Sequence, residues 1–349
     1  MAELWIKKFK KSHFRQMTFN SSSVRESAEF IKNHSHLLTL GDDETYEKAA
    51  KVVQPLLDNW KPESWSANGL HPATLDDHAM KAAWIFVIDT LNFAFWKPPG
   101  KPLFTVKYNG QNYTGYMSLC AAIRRALDEG VNILDPHFWL HATISDVENI
   151  FRSETETPIS LLERRLEIMK EASTFLITHF EGSVYEMIKS VKNSAVSLTN
   201  LIADNLQSYA DRSLFKGQKV SFLKRAQIFA ADIHFGFIAD NDDVCHFNDI
   251  DQITMFADYR VPQVLNYLGL LKYSDELFEM LKNHPHLEVG SEAECEIRGC
   301  SIAAVEKFKK FLSKDANAVL IDYCLWDYAK LNEDKMKDIP IHKTVGIFY

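Results

Sequence analysis

The sequence contains few cysteines and none of the cysteine spacings that bind zinc. No CxxC pair is present, and no Cys/His cluster has zinc-finger spacing. We therefore expect no structural zinc site. The five cysteines are odd in number and are expected to be buried, reduced thiols, as is usual in a reducing compartment. They are Cys120, Cys245, Cys295, Cys300 and Cys324.

Long apolar runs and an excess of basic residues are also absent. The longest apolar runs, such as 82–88, are far shorter than the roughly 20 residues that cross a bilayer. The chain has 39 lysines and arginines against 47 aspartates and glutamates, a net charge of −8. Proteins that grip duplex nucleic acid normally carry a basic excess, because neutralised phosphates supply affinity. We therefore expect a small-molecule substrate, with neither a stable nucleic-acid partner nor a membrane partner.

Common catalytic signatures are missing as well. The sequence has no glycine-rich phosphate loop and no GxSxG, HExxH or GxGxxG motif in the required context. These absences exclude the usual nucleoside-triphosphate, serine-hydrolase, zinc-protease and dinucleotide-binding classes. No metal and no organic cofactor is expected. The chemistry must therefore come from polar residues placed in apolar or aromatic surroundings.

The apolar pattern is mostly helical. Apolar residues make up 46% of the chain, which is enough to offset the entropy of an ordered chain. The segment 104–114 is the exception, because Asn109-Gly110 between two β-prone runs predicts a hairpin. No repeat, linker or low-complexity tract divides the sequence. We predict a mainly α fold, a single integrated helical domain over 21–349, with one small β-hairpin element.

Serine caps and prolines in a first turn predict where the helices begin. The segment 183–209 predicts one helix or a broken pair. The segment 319–329 predicts a buried terminal helix. The other predicted helices are capped by Ser21 to Ser23, opened by Thr157-Pro158, opened by Pro262 and capped by Ser301.

Residues 1–20 have a composition of their own. They contain five basic residues and one acid, Glu3, with apolar residues between them. The basic residues are Lys7, Lys8, Lys10, Lys11 and Arg15. A mitochondrial transit peptide has such a composition. The preferred interpretation is a basic N-terminal arm, solvated or loosely docked, on a cytoplasmic protein. A mitochondrial or nuclear pool is the alternative.

Asp258 is the first candidate for chemistry. It stands shortly before Pro262, and Val261 is pushed away from the α region by the proline that follows it. Asp258 is therefore predicted to lie in a loop near a helix N-terminus, where the helix dipole favours its ionised form. Phe256 shares a side with Asp258 if the segment is extended. The alternative is a structural cap that pairs with Arg260.

Lys224 lies inside the apolar stretch 220–231. A lysine on such a helix usually extends its ammonium group to water. A lysine that remains partly buried requires a carboxylate partner, and Asp258 is a candidate for it.

Asp322 and Asp327 stand in an apolar helix, where two acids are costly unless they are paired or used. At about 100° per residue, their spacing puts them roughly 140° apart on a regular helix. Tyr323 and Asp327 do share a face. The alternative is one capping acid and one acid in a salt bridge. Of the remaining candidates, His71 before Pro72 is interpreted first as a structural contact. The aromatic group Phe93, Phe95 and Trp96 could either form a stacking wall for a planar base or pack in the core.

Six separated motifs, in the same order, resemble those of the queuosine salvage proteins, the queuosine 5′-phosphate N-glycosylase/hydrolases. The likeness runs from about Ser23 to Tyr349. The motifs are Asp89-Thr90-Leu91-Asn92-Phe93, Ser118-Leu119-Cys120-Ala121-Ala122, Ser221-Phe222 with Lys224-Arg225-Ala226-Gln227, the run 254–260, Glu296-Ile297-Arg298-Gly299-Cys300-Ser301 and Leu325-Trp326-Asp327-Tyr328-Ala329.

This resemblance implies hydrolysis of queuosine 5′-monophosphate to queuine and ribose 5-phosphate, for salvage of queuine into tRNA. It also implies a fold similar to helix-hairpin-helix DNA glycosylases, although no glycine-containing hairpin motif precedes Asp258. In those enzymes a lysine and an aspartate frame the scissile bond, and the matching positions here are Lys224 and Asp258.

The resemblance further implies roles for individual residues. Asp258 stabilises or attacks the ribosyl cation, as glycosidase carboxylates do. Lys224 holds Asp258 ionised, orients the water or meets the phosphate. Because the base is a 7-deazapurine, its position 7 cannot be protonated, and a neutral acid or a placed donor must act elsewhere on the ring. The residues implied in substrate binding are His71, Phe256, Asp322, Tyr323 and Asp327.

Two other functions stay open: a glycosylase that acts on a modified base within nucleic acid, and a non-catalytic binding protein for queuine or its nucleotide. The sequence leaves open which side chain holds the 5′-phosphate, with Arg225, Arg260 and Arg298 as candidates. A monomer is expected.

Overall fold

The computed structural model describes residues 23–67, 69–72, 77–240 and 242–349. The predicted basic arm, 1–20, lies outside the described residues. The described residues form fourteen α-helices and three two-stranded sheets, which confirms the predicted mainly α fold. The prediction of one β element was too low, because two further strand pairs form. Similarity to helix-hairpin-helix glycosylases stays a prediction. No helix in the described ranges is both long and apolar enough to span a membrane.

The elements alternate long helices with short strands. The helices are α1 (Val24–His34), α2 (Asp43–Asn59), α3 (His78–Leu91), α4 (Tyr116–Asp128), α5 (Pro136–His141), α6 (Ile144–Ile150), α7 (Leu162–Phe180), α8 (Val184–Ser190), α9 (Ala195–Asn205), α10 (Lys224–Gly236), α11 (Val261–Tyr267), α12 (Asp275–Asn283), α13 (Glu292–Phe308) and α14 (Ala318–Leu331). The strands are β1 (Leu38–Leu40), β2 (Thr105–Tyr108), β3 (Gln111–Thr114), β4 (Arg212–Phe215), β5 (Gln218–Ser221) and β6 (Leu271–Tyr273).

Contacts group the described chain into two compact units. The first comprises the described parts of 62–209 together with 232–248. The second comprises 23–61, 210–231 and 249–349. The division falls inside α10, and the predicted domain over 21–349 stays a prediction.

The first unit contains the predicted hairpin. Strands β2 and β3 pair antiparallel from Thr105 opposite Thr114 to Tyr108 opposite Gln111. Asn109 and Gly110 form the turn with φ of 47° and 77°, the positive values that an Asn-Gly hairpin turn requires. The prediction of this turn from the dipeptide alone is confirmed.

Two helix predictions in the first unit have different outcomes. The helix predicted to open at Thr157-Pro158 begins later, at Leu162. Leu161 has a left-handed conformation with φ 55°, and a right-handed helix cannot continue through such a residue. The segment 183–209 is a broken pair, α8 and α9. Lys192 and Asn193 have positive φ at the break.

The second unit is built around α13. This helix is buried on all sides over most of its length, and α1 packs closely against it. A Cβ atom added to Gly299 of α13 would lie 2.6 Å from three side-chain atoms of Ile31 in α1. Glycine at this position therefore permits the close approach of the two helices.

Helix starts in the second unit follow local rules with one exception. Ser23 caps α1, Pro262 lies in the first turn of α11, and α14 extends over the predicted terminal helix. The cap predicted at Ser301 is wrong. Ser301 lies inside α13 and bonds the carbonyl of Ile297 at 2.6 Å, an option that serine has in a helix interior. Ser291 caps the helix instead.

Candidate functional site

Three predicted site residues lie together in the second unit: Lys224, Asp258 and Asp322. Lys224 and Asp258 each affect the pKa of the other, and both affect the pKa of Asp322, which requires short separations in a buried environment. Their exposed fractions are 6%, 8% and 5%. These small exposed surfaces leave the groups within reach of a ligand while most of their hydration is removed.

Asp258 occupies the loop position that the sequence predicts. Residues 254–258 have no regular secondary structure, and α11 begins three residues after Asp258. Its Oδ1 accepts hydrogen bonds from the backbone N–H groups of Arg260 and Val261, each at 2.8 Å. Asp258 is thus a helix cap through one oxygen. The other oxygen, Oδ2, accepts no hydrogen bond from the described chain.

Opposing influences act on the Asp258 carboxyl. Burial raises its pKa, while the ammonium group of Lys224 and the two backbone N–H groups lower it. Burial prevails, so the pKa lies above its ordinary value. The alternative of a structural cap paired with Arg260 holds only for the cap: the Arg260 guanidinium bonds Glu333 at 3.3 Å and forms no direct ion pair with Asp258.

Lys224 is the first residue of α10 and does not extend to water. Its backbone N–H donates to Asp211 Oδ2 at 3.0 Å, so Asp211 caps this helix. Burial lowers the pKa of the Lys224 ammonium group, and Asp258 acts in the opposite direction. Within the described chain Lys224 forms no direct ion pair, so its attraction to Asp258 acts across a gap.

Asp322 lies on α14 with its carboxyl facing the 254–258 segment. Its Oδ2 accepts the backbone N–H of Phe256 at 2.9 Å. Burial, followed by the charge of Asp258, raises the pKa of Asp322 well above its usual range. This shift favours the protonated form of Asp322, which can donate a hydrogen bond.

Two aromatic rings adjoin these acids. The ring centroids of Phe256 and Tyr323 are 6.0 Å apart at an interplanar angle of 58°. Phe256 is buried and Tyr323 is half-buried. Asp327 is on a different side of α14 from Asp322, as the five-residue spacing predicts, and it is exposed. The structure thus brings Phe256, Tyr323 and Asp322 together and leaves Asp327 apart from them.

A buried network supports the cluster, and the sequence analysis missed it. Arg298 of α13 binds both oxygens of Asp211, at 2.8 and 2.6 Å, and contacts Glu294 at 3.3 Å. Its Nε–H donates to the carbonyl oxygen of Ala257 at 3.1 Å. Tyr349 donates to Glu294 at 2.5 Å. The available signal was an arginine in an apolar stretch, which the sequence offers as one of three candidates for the 5′-phosphate.

His71 belongs to the first unit. The indole N–H of Trp84 donates to its Nδ1 at 3.3 Å, so Nδ1 is an acceptor and Nε2 carries the proton. Nε2 lies 3.0 Å from the hydroxyl of Tyr116. Burial lowers the pKa of His71 to about 4, so the ring is neutral and its tautomer is held by the two partners.

The aromatic group after α3 also lies in the first unit. The buried ring of Phe93 packs under the guanidinium of Arg165 at 4.3 Å, and the Phe95 ring lies 5.7 Å from the same group. These contacts favour the core-packing alternative over a stacking wall for this group.

One group of side chains in the described residues has the spacing of a metal site. One ligand atom from each of His36, Glu292 and Glu296 lies within 4.8 Å of the others. However, His36 Nδ1 contacts Glu296 at 3.0 Å, and Lys216 contacts Glu292 at 3.1 Å. These ion-pair contacts account for the grouping without a metal. The five cysteines are free and buried, as predicted.

The cluster combines three properties that one reaction can use. A buried carboxylate beside an ammonium group can stabilise a positive charge that develops on a bound molecule. A protonated carboxyl can donate to a departing group. Two aromatic rings can contact a flat ring system.

Comparisons with known proteins agree with this chemistry. Residues 70–349 match the family model described as queuosine salvage protein. The queuosine 5′-phosphate N-glycosylase/hydrolase of Mus musculus is 41% identical over 338 residues, which cover 94% of this chain and 98% of the relative. The protein of that name from Schizosaccharomyces pombe is 38% identical over 322 residues, covering 88% and 92%. The one from Sphaerobacter thermophilus is 35% identical over 291 residues, covering 82% and 86%.

Proposed function

The chain belongs to the queuosine salvage protein family and acts as a queuosine 5′-phosphate N-glycosylase/hydrolase, and we propose that Lys224, Asp258 and Asp322 carry the reaction. The products are queuine and ribose 5-phosphate. The observation that carries the assignment is the buried grouping of a lysine, a capping aspartate and a second aspartate with a raised pKa in one unit. Each of the three has a separate task when an N-glycosidic bond breaks.

Asp258 acts on the ribose. As the bond breaks, positive charge develops at C1′ and the ring oxygen, and a carboxylate below the ring stabilises it. Oδ1 is held by two backbone N–H groups. Oδ2 is therefore the oxygen that faces the ribosyl cation. The same oxygen is placed either to form a covalent link or to direct a water molecule to C1′.

Lys224 favours the ionised form of Asp258. Burial alone raises the pKa of Asp258 and favours the neutral acid, which cannot stabilise a cation. The positive charge of Lys224 opposes this effect. No direct ion pair joins the two groups, and we assign the attacking water to a position between them.

Asp322 acts on the base. The 7-deazapurine ring has carbon at position 7 and cannot accept a proton there, so another part of the ring must be stabilised. Burial and the neighbouring charge of Asp258 raise the pKa of Asp322 and favour its protonated form. Its O–H donates to an acceptor atom of the leaving base, while Phe256 and Tyr323 contact the faces of the ring. Donation of this kind contributes about 10²- to 10⁴-fold in rate.

The other predicted contacts form the periphery of the proposal. Asp327, exposed on α14, is assigned to the cationic side chain of the base. His71, neutral and with Nε2 protonated, is assigned to hydrogen bonding with the substrate. We further propose that the protein is a cytoplasmic monomer that acts on the free nucleotide. The net charge of −8 supports the free nucleotide as the substrate, because a protein that binds a nucleic-acid polymer favours a basic surface.

The test is a turnover assay with queuosine 5′-monophosphate, in which free base is followed by chromatography and mass. We expect base release by the wild type and its near loss in Asp258→Asn, which retains the helix cap. The matched control is Asp42→Asn, an exposed aspartate that caps α2 through Thr45. It should retain full activity.

Each other result has a defined meaning. Release by Asp258→Asn at the wild-type rate would move the catalytic carboxylate to another residue. Tight binding of the nucleotide without release by the wild type would favour a binding protein. Release only from tRNA or DNA, with steep salt dependence, would favour a nucleic-acid glycosylase.

A further inference from the structure

Arg298 connects the two segments that bear the catalytic residues. On one side its guanidinium binds both oxygens of Asp211, and Asp211 Oδ2 accepts the backbone N–H of Lys224 at 3.0 Å. On the other side its Nε–H donates to the carbonyl of Ala257, the residue before Asp258, at 3.1 Å. A single planar group thus joins the start of α10 to the 254–258 loop.

The guanidinium of Arg298 is itself fixed in place by neighbouring side chains. It stacks over the ring of Phe222 at 4.1 Å and over the ring of Tyr349 at 4.8 Å. Glu294 accepts from Arg298 and from the Tyr349 hydroxyl. With the side chain only 1% exposed, its donors face protein acceptors rather than a ligand. Such planar, bidentate contacts require arginine, because lysine is a point charge with no fixed fork.

We infer that Arg298 is a positioning residue, which together with Asp211 sets the separation between Lys224 and Asp258. This inference rests on the proposed function. Arg298 does not contact the substrate and acts only through the backbone of the two catalytic residues. It is therefore excluded from the phosphate-binding role for which the sequence made it a candidate.

The test uses Arg298→Lys, which retains the positive charge but cannot bridge Asp211 and the Ala257 carbonyl together. We expect kcat for queuosine 5′-monophosphate to fall on the order of 10²-fold, because a small misplacement of a catalytic group is costly. KM should change less than about threefold, since substrate contacts remain.

The pH profile separates positioning from a general structural defect. A wider gap weakens the attraction between Lys224 and Asp258. The pKa of Asp258 then rises and that of Lys224 falls. In the pH profile of kcat/KM, the acid limb therefore moves to higher pH and the basic limb to lower pH. Since the charge of residue 298 is unchanged, this narrowing reports on geometry.

The matched control is Arg165→Lys. Arg165 is equally buried, stacks over Phe93 at 4.3 Å and bonds backbone carbonyls, but it lies in the first unit. It should lower the melting temperature without narrowing the pH profile. Asp211→Asn is the second variant if Arg298→Lys does not fold. It keeps an acceptor for the Lys224 N–H but loses one acceptor for Arg298, and it should lower kcat with KM nearly constant.

Three outcomes would overturn the inference. An unchanged kcat in folded Arg298→Lys and Asp211→Asn would do so. A second such outcome is a loss of activity in proportion to the loss of melting temperature, as expected for Arg165→Lys, with no change in the pH profile. A large rise in KM with constant kcat would return Arg298 to phosphate binding. Absence of base release by the wild type itself would instead reject the proposed function, and the role of Arg298 with it.

Discussion

Asp322 and Phe256 are joined by a hydrogen bond of 2.9 Å from the Phe256 N–H to Asp322 Oδ2. This bond ties α14 to the loop that bears Asp258 and brings a second buried carboxyl next to the first. The proximity of the two acids contributes to the raised pKa of Asp322. The protonated form is thus favoured at Asp322, while the charge of Lys224 favours the ionised form of Asp258.

Replacement of Asp322 should separate activity from stability. Asp322→Asn retains an acceptor for the Phe256 N–H but has no acidic proton, so we expect kcat to fall roughly 10²-fold or more. The same variant should be more stable than the wild type at neutral pH. The protonated carboxyl favours the folded state fully below its unfolded pKa, near 3.9, and this contribution is lost as pH rises through the raised folded pKa.

Thermal unfolding at several pH values checks the stability part. The difference in melting temperature between Asp322→Asn and the wild type should grow as pH rises from about 4. Asp327→Asn, exposed on the same helix, should show a weaker trend, because burial raises the pKa of Asp327 less and the charge of Lys330 opposes the rise. A constant difference across pH would mean that Asp322 has an ordinary pKa in the folded protein.

Removal of the Lys224 charge should shift the acid limb of the activity profile. Without this charge the pKa of Asp258, already raised by burial, rises further, so the acid limb of kcat/KM moves to higher pH in Lys224→Met. The rate at the optimum should fall on the order of 10²-fold.

Two variants control for this effect. Lys224→Arg keeps the charge and should keep the acid limb in place, even where the rate falls. Lys216→Met removes a partly exposed lysine of the same unit and should leave the whole profile unchanged. An unshifted acid limb in Lys224→Met would show that Asp258 is ionised by other groups.

The ring of Phe256 should contribute to substrate binding through its aromatic face. Phe256→Leu preserves apolar volume but removes that face, so KM should rise about 2- to 12-fold with kcat nearly unchanged. Phe308→Leu, a buried replacement in α13 that touches the ring of Tyr46, should lower stability without changing KM. Equal KM values for the two variants would remove Phe256 from the binding site.

Gly299→Ala should destabilise the second unit. The added Cβ would lie 2.6 Å from atoms of Ile31, and overpacking of this kind costs about 1–3 kcal/mol. Chemical denaturation of Gly299→Ala, Ile31→Ala and the double variant would measure the coupling. The double variant should be less unstable than the sum of the single losses, because Ile31→Ala removes two of the three clashing atoms. Strictly additive losses would contradict the packing argument.

Local features were predictable from short stretches of sequence. The turn at Asn109-Gly110, the cap at Ser23 and the start of α11 near Pro262 follow from the backbone preferences of a few adjacent residues. The wrong prediction at Ser301 has the same origin. A serine next to an apolar run predicts a cap, but in a helix interior its hydroxyl bonds the preceding turn.

The chemistry of the site was predictable only as a set of residue types. Motif likeness identified Lys224, Asp258 and Asp322, and the helical period correctly separated Asp322 from Asp327. Neither could supply the protonation state of Asp322, since that depends on desolvation and on the neighbouring charge of Asp258.

Tertiary structure alone decided how the catalytic segments are held together. Arg298 and Asp211 are 87 positions apart, and Phe256 and Asp322 are 66 apart. No local preference links residues at such distances. Arg298 reaches Asp211 from α13, and Asp322 reaches the loop before α11 from α14, so both contacts depend on how these helices pack. Because this packing buries Arg298 and Asp211, each charge needs a well-oriented partner, and the pair can fix the position of the segments it joins.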